Sequence, residues 1–311
     1  MKNKHLISIH DLSAAEVAEI FDVAAKMKKS PAKYNTALKG KTLGMIFEKS
    51  STRTRVSFEV GMFQLGGHAL FLSARDIQLG RGEPISDTAQ VLSRYVDGIM
   101  ARTFAHKTVT DLAEHGSVPV INGLTDLLHP CQGLTDYFTA SEHLGRLKGR
   151  KLAYIGDGNN MAHSLMYCGA KVGMHVAIAT PKGYEPNAEV VELAKADHAK
   201  AKTTLTITNS IEEAVAGADV VETDVWASMG QEGEQEKRVK DFAGWQVDET
   251  VMKKAKKGAI FMHCLPAHRG EEVAAAVCDG PQSVIYDEAE NRLHVQKAIM
   301  YLLMGGRKRK H

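Results

Sequence analysis

The feature that most constrains the fold is an alternation of short apolar segments with helical segments along the whole chain. In the first half, apolar segments typical of buried strands occupy residues 41–47, 68–74, 97–104 and 119–123, with helical periodicity between them. Each intervening helix carries the chain back to the starting edge of the sheet, so that successive strands run parallel. The sequence therefore predicts an α/β protein with a parallel sheet covered by helices.

The same pattern starts again after residue 150, which indicates a second domain. The predicted strands there are KLAYIGD, HVAIAT, TTLTIT, DVVETDV, AIFMHCLP and SVIYDEA. A length of 311 residues fits two domains, since a domain has about 150 residues. The polar segment at 147–150 predicts a division into domains 1–147 and 148–311, with a last helix at about 292–304 that packs back on the first domain.

Composition limits the classes of function. Lys and Arg number 39 and Asp and Glu 37, so the net charge of +2 gives no general attraction to nucleic acid or membranes. No apolar run approaches the roughly 18 residues of a membrane-spanning helix. The four cysteines lack CxxC spacing and are expected to be reduced thiols in a cytoplasmic protein. The basic tail at 307–310 fits either a solvated terminus or a binding arm.

One polar segment has the character of an anion site. Ser51-Thr52-Arg53-Thr54-Arg55 lies between the first predicted strand and a helix, where free backbone N–H groups and the helix dipole attract anions. The Gly-rich spacing of a P-loop is missing. The segment alone also fits an exposed helix cap, but its position after a strand favours phosphate binding.

Other polar residues follow strands, where parallel sheets place their ligand crevices. Arg102 ends the third predicted strand, and His129 and Gln132 stand three residues apart, suited to polarising a carbonyl oxygen and holding an amide. In the second half, Asp224 follows a strand and offers a carboxylate to an amine. The polar stretch that follows it through Lys240 fits either a mobile lid or a surface insertion. A structural role remains open for each.

His263-Cys264-Leu265-Pro266 ends another predicted strand, a position that suits a ligand pocket. Pro266 is expected to restrict Leu265 to extended backbone and to leave its carbonyl oxygen available as an acceptor. Cys264 also fits a small buried apolar residue.

Two cofactor interpretations are weak. The segment 156–160 resembles a dinucleotide fingerprint, but Met161 stands where a third glycine is needed, and no acidic residue ends the strand at 175–180. Soft ligands occur at His129, Cys131, His263 and Cys264 without the usual zinc spacing. We therefore expect neither a nicotinamide cofactor nor a metal.

Taken together, four motifs resemble a known family. STRTR, HPCQ, DVWASMGQE and HCLP occur in an order similar to that of the aspartate/ornithine transcarbamoylases, and most closely their ornithine-using members. The likeness extends over nearly the whole chain through MIFEKSSTRTR, INGLTDLLHPCQ, IGDGNN, TPKGYEP and DEAENR. It implies two α/β domains, a homotrimer or an assembly of trimers, no cofactor, and transfer of the carbamoyl group from carbamoyl phosphate to ornithine, giving citrulline and phosphate in arginine metabolism.

The resemblance also implies roles for individual residues. Residues implied for carbamoyl phosphate are Ser51, Thr52, Arg53, Thr54, Gln78 (from a neighbouring subunit), Arg102, His129, Gln132, Cys264, Leu265 and Arg292. Those implied for ornithine are Asn160, Asp224, Ser228 and Met229. The residues implied for catalysis are Arg102, His129, Cys264 and Asp224.

Rival interpretations differ in substrate or in class. An aspartate-using enzyme needs cationic groups for a second carboxylate, whereas this sequence offers Asp224. Putrescine or acetylornithine as the amine substrate remains open. So does a non-catalytic subunit that only binds phosphate ligands, which would bind carbamoyl phosphate without forming citrulline.

Overall fold

The structure is a computed structural model that describes residues 1–77, 82–227 and 232–305. The chain divides into two compact units, the first comprising Met1–Leu134 and Glu290–His311 and the second Thr135–Ala289. Both divisions fall inside helices, namely α5 (Pro130–Leu144) and α12 (Ile285–Met304). The domain boundary after residue 147 stays a prediction.

The first unit contains a four-stranded parallel sheet. Its strands are β1 (Thr42–Phe47), β2 (His68–Ser73), β3 (Gly98–Arg102) and β4 (Val120–Leu124), in the order β2-β1-β3-β4. The helices that begin in this part of the chain are α1 (Ala14–Lys29), α2 (Thr52–Gln64), α3 (Ile85–Tyr95), α4 (His106–His115) and α5, and a short 3₁₀ helix spans Pro31–Tyr34. The predicted alternation of strand and helix is confirmed.

Local signals account for the ends of the first two helices. Ser13 caps α1 in a capping box, in which its Oγ accepts from the Glu16 N–H at 3.2 Å and its own N–H donates to the Glu16 carboxylate at 3.1 Å. After α2, Gly66 has a φ of +79°, and a Cβ there would lie 2.4 Å from the backbone oxygen of Asn35. Only glycine fits this position, which explains why the helix ends there.

The second unit contains a five-stranded parallel sheet. Its strands are β5 (Lys151–Ile155), β6 (His175–Ala179), β7 (Leu205–Thr208), β8 (Val220–Thr223) and β9 (Ile260–His263), in the order β7-β6-β5-β8-β9. Its other helices are α6 (Asn160–Val172), α7 (Ala188–Ala201), α8 (Ile211–Val215), α9 (Gln235–Asp241), α10 (Glu249–Lys254) and α11 (Ala275–Cys278), with a 3₁₀ helix at Glu232–Glu234. Strands β5, β8 and β9 are almost wholly buried, as expected when helices cover both faces.

One predicted strand is wrong. SVIYDEA, at 283–289, is not a strand: Ser283 makes only an isolated bridge to Phe261, and α12 begins at Ile285 instead of about residue 292. A short apolar run does not distinguish a buried strand from the start of a buried helix. Asp287 and Glu288 in the first turn interact favourably with the helix dipole, which is the signal that favours the helix.

The C-terminal part of α12 packs on α2 of the first unit. A Cβ added to Gly61 of α2 would lie 2.8 Å from Cε of Met300 on α12, so the two helices approach closely. Gln296 and Lys297 of α12 donate to Ser57 and Gln64 of α2, each at 2.8 Å. Across residues 1–77, 82–227 and 232–305, no helix combines the length and apolar character needed to cross a membrane.

Candidate active site

The N-terminus of α2 forms a candidate anion site in the first unit. Ser51 is the N-cap, and its Oγ accepts from the N–H of Thr54 at 3.2 Å. Thr52 and Arg53 occupy the first turn, directly beyond the carboxyl edge of β1. The first turn of a helix presents N–H groups and a partial positive charge, which together attract an anion.

Two buried arginines converge on Thr54. Arg102, at the end of β3, donates through Nη1 to Thr54 Oγ1 at 3.5 Å, and Arg292 of α12 donates through Nη2 to the same oxygen at 3.2 Å. Both arginines are only 3% exposed. Arg292 also donates through Nη1 to Gln132 Oε1 at 2.5 Å and through Nε to Gln296 Oε1 at 2.8 Å. The fold thus gathers two guanidinium groups at the start of α2, an arrangement that suits a phosphate.

His129 lies among these cations just before α5. Burial lowers the pKa of its imidazole well below the usual value, and the charges of Arg292, Arg102 and Arg53 lower it further. The ring is therefore neutral near pH 7 and can donate one N–H to a carbonyl oxygen without acting as an acid.

The second unit holds its own candidate site around Asp224, which follows β8. Its Oδ1 accepts from the Cys264 thiol at 3.2 Å and from the N–H of Val225 at 2.8 Å. Its Oδ2 accepts from Nδ2 of Asn159 at 3.2 Å, and Asn159 also caps α6, whose first residue is Asn160. Thus Asp224, Cys264 and Asn160, which are far apart in sequence, lie around one edge of this sheet.

Cys264 is a thiol rather than a thiolate. Burial raises its pKa well above the usual value, and the neighbouring Asp224 carboxylate raises it further. Since the thiolate is the nucleophilic form of cysteine, this environment is unsuited to covalent catalysis. The thiol can instead position a group beside Asp224.

The backbone after Cys264 has an unusual conformation. Leu265 has a φ of +61°, so the expectation of extended backbone at this residue is wrong. Its N–H donates to Nδ1 of His263 at 2.9 Å, which holds it in the left-handed region. Nε2 of His263 lies 3.1 Å from Oε1 of Glu272, and both side chains are fully buried. Because Nδ1 accepts, Nε2 carries the proton and donates to Glu272.

Sequence reasoning missed Glu272 and Arg238, and three predicted residues lie outside the described part of the chain. Glu272 supports the HCLP segment from nine residues beyond His263 and matches no local motif. Arg238 belongs to the polar stretch that ends at Lys240, yet it is buried. Gln78, Ser228 and Met229 are not among the residues that the structure describes.

Two family models cover most of the chain. The carbamoyl-P binding domain of aspartate/ornithine carbamoyltransferase matches residues 4–142, and the Asp/Orn binding domain of the same family matches residues 148–303. The halves of the chain thus resemble the two domains of one kind of enzyme.

Individual relatives are similar over their full length. The chain is 57% identical to an ornithine carbamoyltransferase of Carboxydothermus hydrogenoformans over 306 residues, 98% of each chain. It is 54% identical to that of Thermococcus kodakarensis over 308 residues, again 98% of each. The solved ornithine carbamoyltransferase of Pyrococcus furiosus matches with a TM-score of 0.94 at 54% identity and 98% coverage of both chains. That of Giardia lamblia matches at 0.89 and 39% identity, over 99% of this chain and 100% of its own.

Proposed function

Since this chain belongs to the aspartate/ornithine carbamoyltransferase family, we propose that it transfers the carbamoyl group of carbamoyl phosphate to the side-chain amine of L-ornithine. The products are L-citrulline and phosphate, in arginine metabolism. Relatives named ornithine carbamoyltransferase are 54–58% identical over nearly the whole chain, which favours ornithine over aspartate as the amine substrate. The observation that carries the proposal is the convergence of Arg102 and Arg292 on Thr54, beside a neutral His129.

The residues of the first unit are assigned to carbamoyl phosphate. Ser51, Thr52, Arg53, Thr54 and Arg102 hold the phosphate, with Arg292 as a further contact. His129 donates to the carbamoyl oxygen, where negative charge develops during attack. Gln132 Oε1 is oriented by Arg292, and its second lone pair accepts from the carbamoyl N–H.

The residues of the second unit are assigned to the amine. Asp224 binds an ammonium group of ornithine, and Asn160 contributes to the same subsite together with Ser228 and Met229. The Cys264 thiol lies beside the reacting nitrogen, and the backbone oxygen of Leu265 accepts from the carbamoyl N–H. Three donors fix the Asp224 carboxylate, so it is preorganised before the substrate arrives.

The reaction forms a C–N bond and breaks a C–O bond. The neutral amine of ornithine attacks the carbamoyl carbon, and the bond from that carbon to the phosphate oxygen breaks with its electron pair on phosphate. The ammonium must lose one proton before attack, and the adduct loses a second as phosphate leaves. Orientation, oxyanion stabilisation and neutralisation of phosphate supply the catalysis, so we expect neither a metal nor a cofactor.

We further propose that the protein assembles as a homotrimer or as an assembly of trimers. Strand β2 is a sheet edge, and apolar side chains are exposed on it and on α2, including Phe63 at 81%, Val56, Leu70 and Phe71. An exposed edge with an apolar patch is a surface that proteins usually cover. In a closed ring a neighbouring copy covers it, and Gln78 then reaches the neighbour's carbamoyl phosphate.

The cellular setting follows from the same proposal. The four cysteines all lie in the described part of the chain and form no disulfide, the state that a reducing compartment maintains, and we place the protein in the cytoplasm. Its partners are its small-molecule substrates and copies of itself, with no role for nucleic acid or membranes.

The decisive experiment is a colorimetric citrulline assay in which ornithine, putrescine, acetylornithine and aspartate are compared as carbamoyl acceptors. We expect ornithine to give the highest kcat/KM. A higher value with putrescine or acetylornithine would reassign the substrate. Binding of carbamoyl phosphate without carbamoylation of any of the four amines would favour the non-catalytic subunit.

A further inference from the structure

Arg238 of α9 is buried, although the surrounding stretch is polar. Its side chain is 7% exposed. Nη1 donates to Oδ2 of Asp157 at 2.7 Å and to the backbone oxygen of Trp226 at 2.8 Å, and Nε donates to Oε2 of Glu234 at 3.0 Å. One nitrogen thus joins two segments that approach Asp224 from different strands.

The two acceptors of Nη1 belong to the two chain segments that follow β5 and β8. Asp157 follows β5 and precedes Asn159 by two residues, and Asn159 donates to Asp224. Trp226 follows Asp224 by two residues along the chain. Fixing both segments therefore fixes the direction in which the Asp224 carboxylate points.

Aromatic packing surrounds this contact. The guanidinium carbon of Arg238 lies 5.2 Å from the ring centre of Tyr184, and Tyr184 packs edge-on against Phe242 at 4.7 Å. The Trp226 ring stacks on Phe242 at 5.7 Å. We call Asp157, Tyr184, Trp226, Arg238 and Phe242 the Arg238 cluster. Its hydrogen bonds are shielded from water and are stronger than surface bonds.

Charge gives the cluster a second effect. Burial raises the pKa of Asp157, and the nearby Asp224 raises it further, whereas Arg238 lowers it. Arg238 therefore supplies the positive charge that balances Asp157. The Asp224 carboxylate is left to bind a cationic group of the substrate.

We infer that Arg238 is a positioning residue for the amine substrate: it holds the segment after β5 and the segment after Asp224 so that the carboxylate meets an ammonium group of an amino-acid acceptor. The inference rests on the proposed function, since it takes ornithine as that acceptor. Arg238 touches no reacting atom and acts through Asp157 and Trp226.

The kinetic test compares Arg238→Met and Arg238→Lys with the wild type. We expect Arg238→Met to raise KM for ornithine about tenfold or more, because a charged buried hydrogen bond is lost, with KM for carbamoyl phosphate changed less than about twofold. Lysine carries one nitrogen that can donate to both acceptors of Nη1, so Arg238→Lys should recover most of the loss. The matched control is Arg269→Met, which removes an exposed arginine paired with Asp279 in the same unit, and should behave like wild type.

A second measurement reads the cluster without catalysis. The chain has two tryptophans, so in a Trp245→Phe background Trp226 is the only tryptophan, and light that excites tryptophan but not tyrosine reads it alone. Adding Arg238→Met should then increase quenching by acrylamide, because Trp226 is no longer held. Unchanged quenching together with unchanged KM for ornithine would overturn the inference, as would an equal rise in KM for both substrates.

Failure of the proposed function and failure of the role of Arg238 give different results. If the wild type carbamoylates no amine, the proposed function fails while the fluorescence result still decides whether Arg238 holds Trp226. If Arg238→Met does not fold, Asp157→Asn keeps the shape of the acceptor and removes its charge. That variant should raise KM for ornithine and leave KM for carbamoyl phosphate unchanged. A wild-type ratio of the two KM values would contradict the inference.

Discussion

Three fully buried carboxyl groups in the second unit should make the stability of the fold depend on pH. Asp136 of α5, Glu222 of β8 and Glu288 of α12 place carboxylate oxygens within 4.8 Å of one another. Burial raises the pKa of Glu222 well above its ordinary value, and the charges of Asp136 and Glu288 raise it further. We therefore expect Glu222 to carry a proton in the folded protein.

The sign of the pH dependence follows from this proton. In the unfolded chain a glutamate ionises near pH 4.3, so above that pH the folded state holds one more proton than the unfolded state. The contribution of Glu222 to the free energy of unfolding is therefore present at low pH. It is lost as pH rises, by at most about 1.4 kcal/mol per pH unit, until the raised pKa of Glu222 is reached. Glu222→Gln has no proton to lose, and its stability should lack this slope.

The assay is urea unfolding at fixed protein concentration at pH 5.5, 6.5 and 7.5. From pH 5.5 to 7.5 we expect the free energy of unfolding of Glu222→Gln to rise relative to that of the wild type by up to about 2.7 kcal/mol. The control is Glu192→Gln, whose carboxylate is 72% exposed and changes surroundings little on folding. If the free energies of unfolding of Glu222→Gln and wild type change in parallel with pH, Glu222 is not protonated in the folded state.

Three further predictions concern the proposed reaction. Arg102→Met removes a buried guanidinium from the phosphate, which should cost about 2–4 kcal/mol in the kcat/KM for carbamoyl phosphate; a wild-type value in initial-rate kinetics would contradict the assignment. Asp224→Asn keeps acceptors for Cys264 and Val225 but loses the charge, so KM for ornithine should rise more than about tenfold while calorimetric binding of carbamoyl phosphate is retained; equal losses would indicate a structural role. Refolding Arg53→Ala together with Gln78→Ala should restore about a quarter of wild-type activity, because about three quarters of random trimers are mixed and each mixed ring has one intact site in three. Activity no greater than the average of the separately refolded variants would mean that Gln78 acts within its own chain or that no ring forms.

The strand ends explain how much of the site could be predicted from the sequence. Arg102, Asp224 and Cys264 each lie at or just after the end of a strand, and parallel strands place such residues along one edge of their sheet. The anion segment from Ser51 to Thr54 is contiguous, so its helix-capping pattern was visible locally. These assignments need only the identity of each strand and its direction.

The contacts of Arg292 and Glu272 could not be predicted in this way. Arg292 reaches Thr54 across 238 positions of sequence, and only the resemblance of the DEAENR segment to a known family indicated its role. Glu272 looks like any surface carboxylate in a GEEV segment, and its burial against His263 depends on how distant parts of the second unit fold. A charged side chain is buried only when a partner meets it, and neither periodicity nor composition names that partner.

The wrong strand at 283–289 and the confirmed strand before Asp224 have the same physical origin. Both segments combine a short apolar run with acidic residues, VVETD in one and VIYDE in the other. In the first, the backbone of Val220–Thr223 pairs with strands on both sides, and the acidic Asp224 falls just beyond the sheet. In the second, Ser283 alone forms a bridge, so the backbone groups that follow must find partners within a helix. The availability of neighbouring strands, which is a property of the whole sheet, decides between the two conformations.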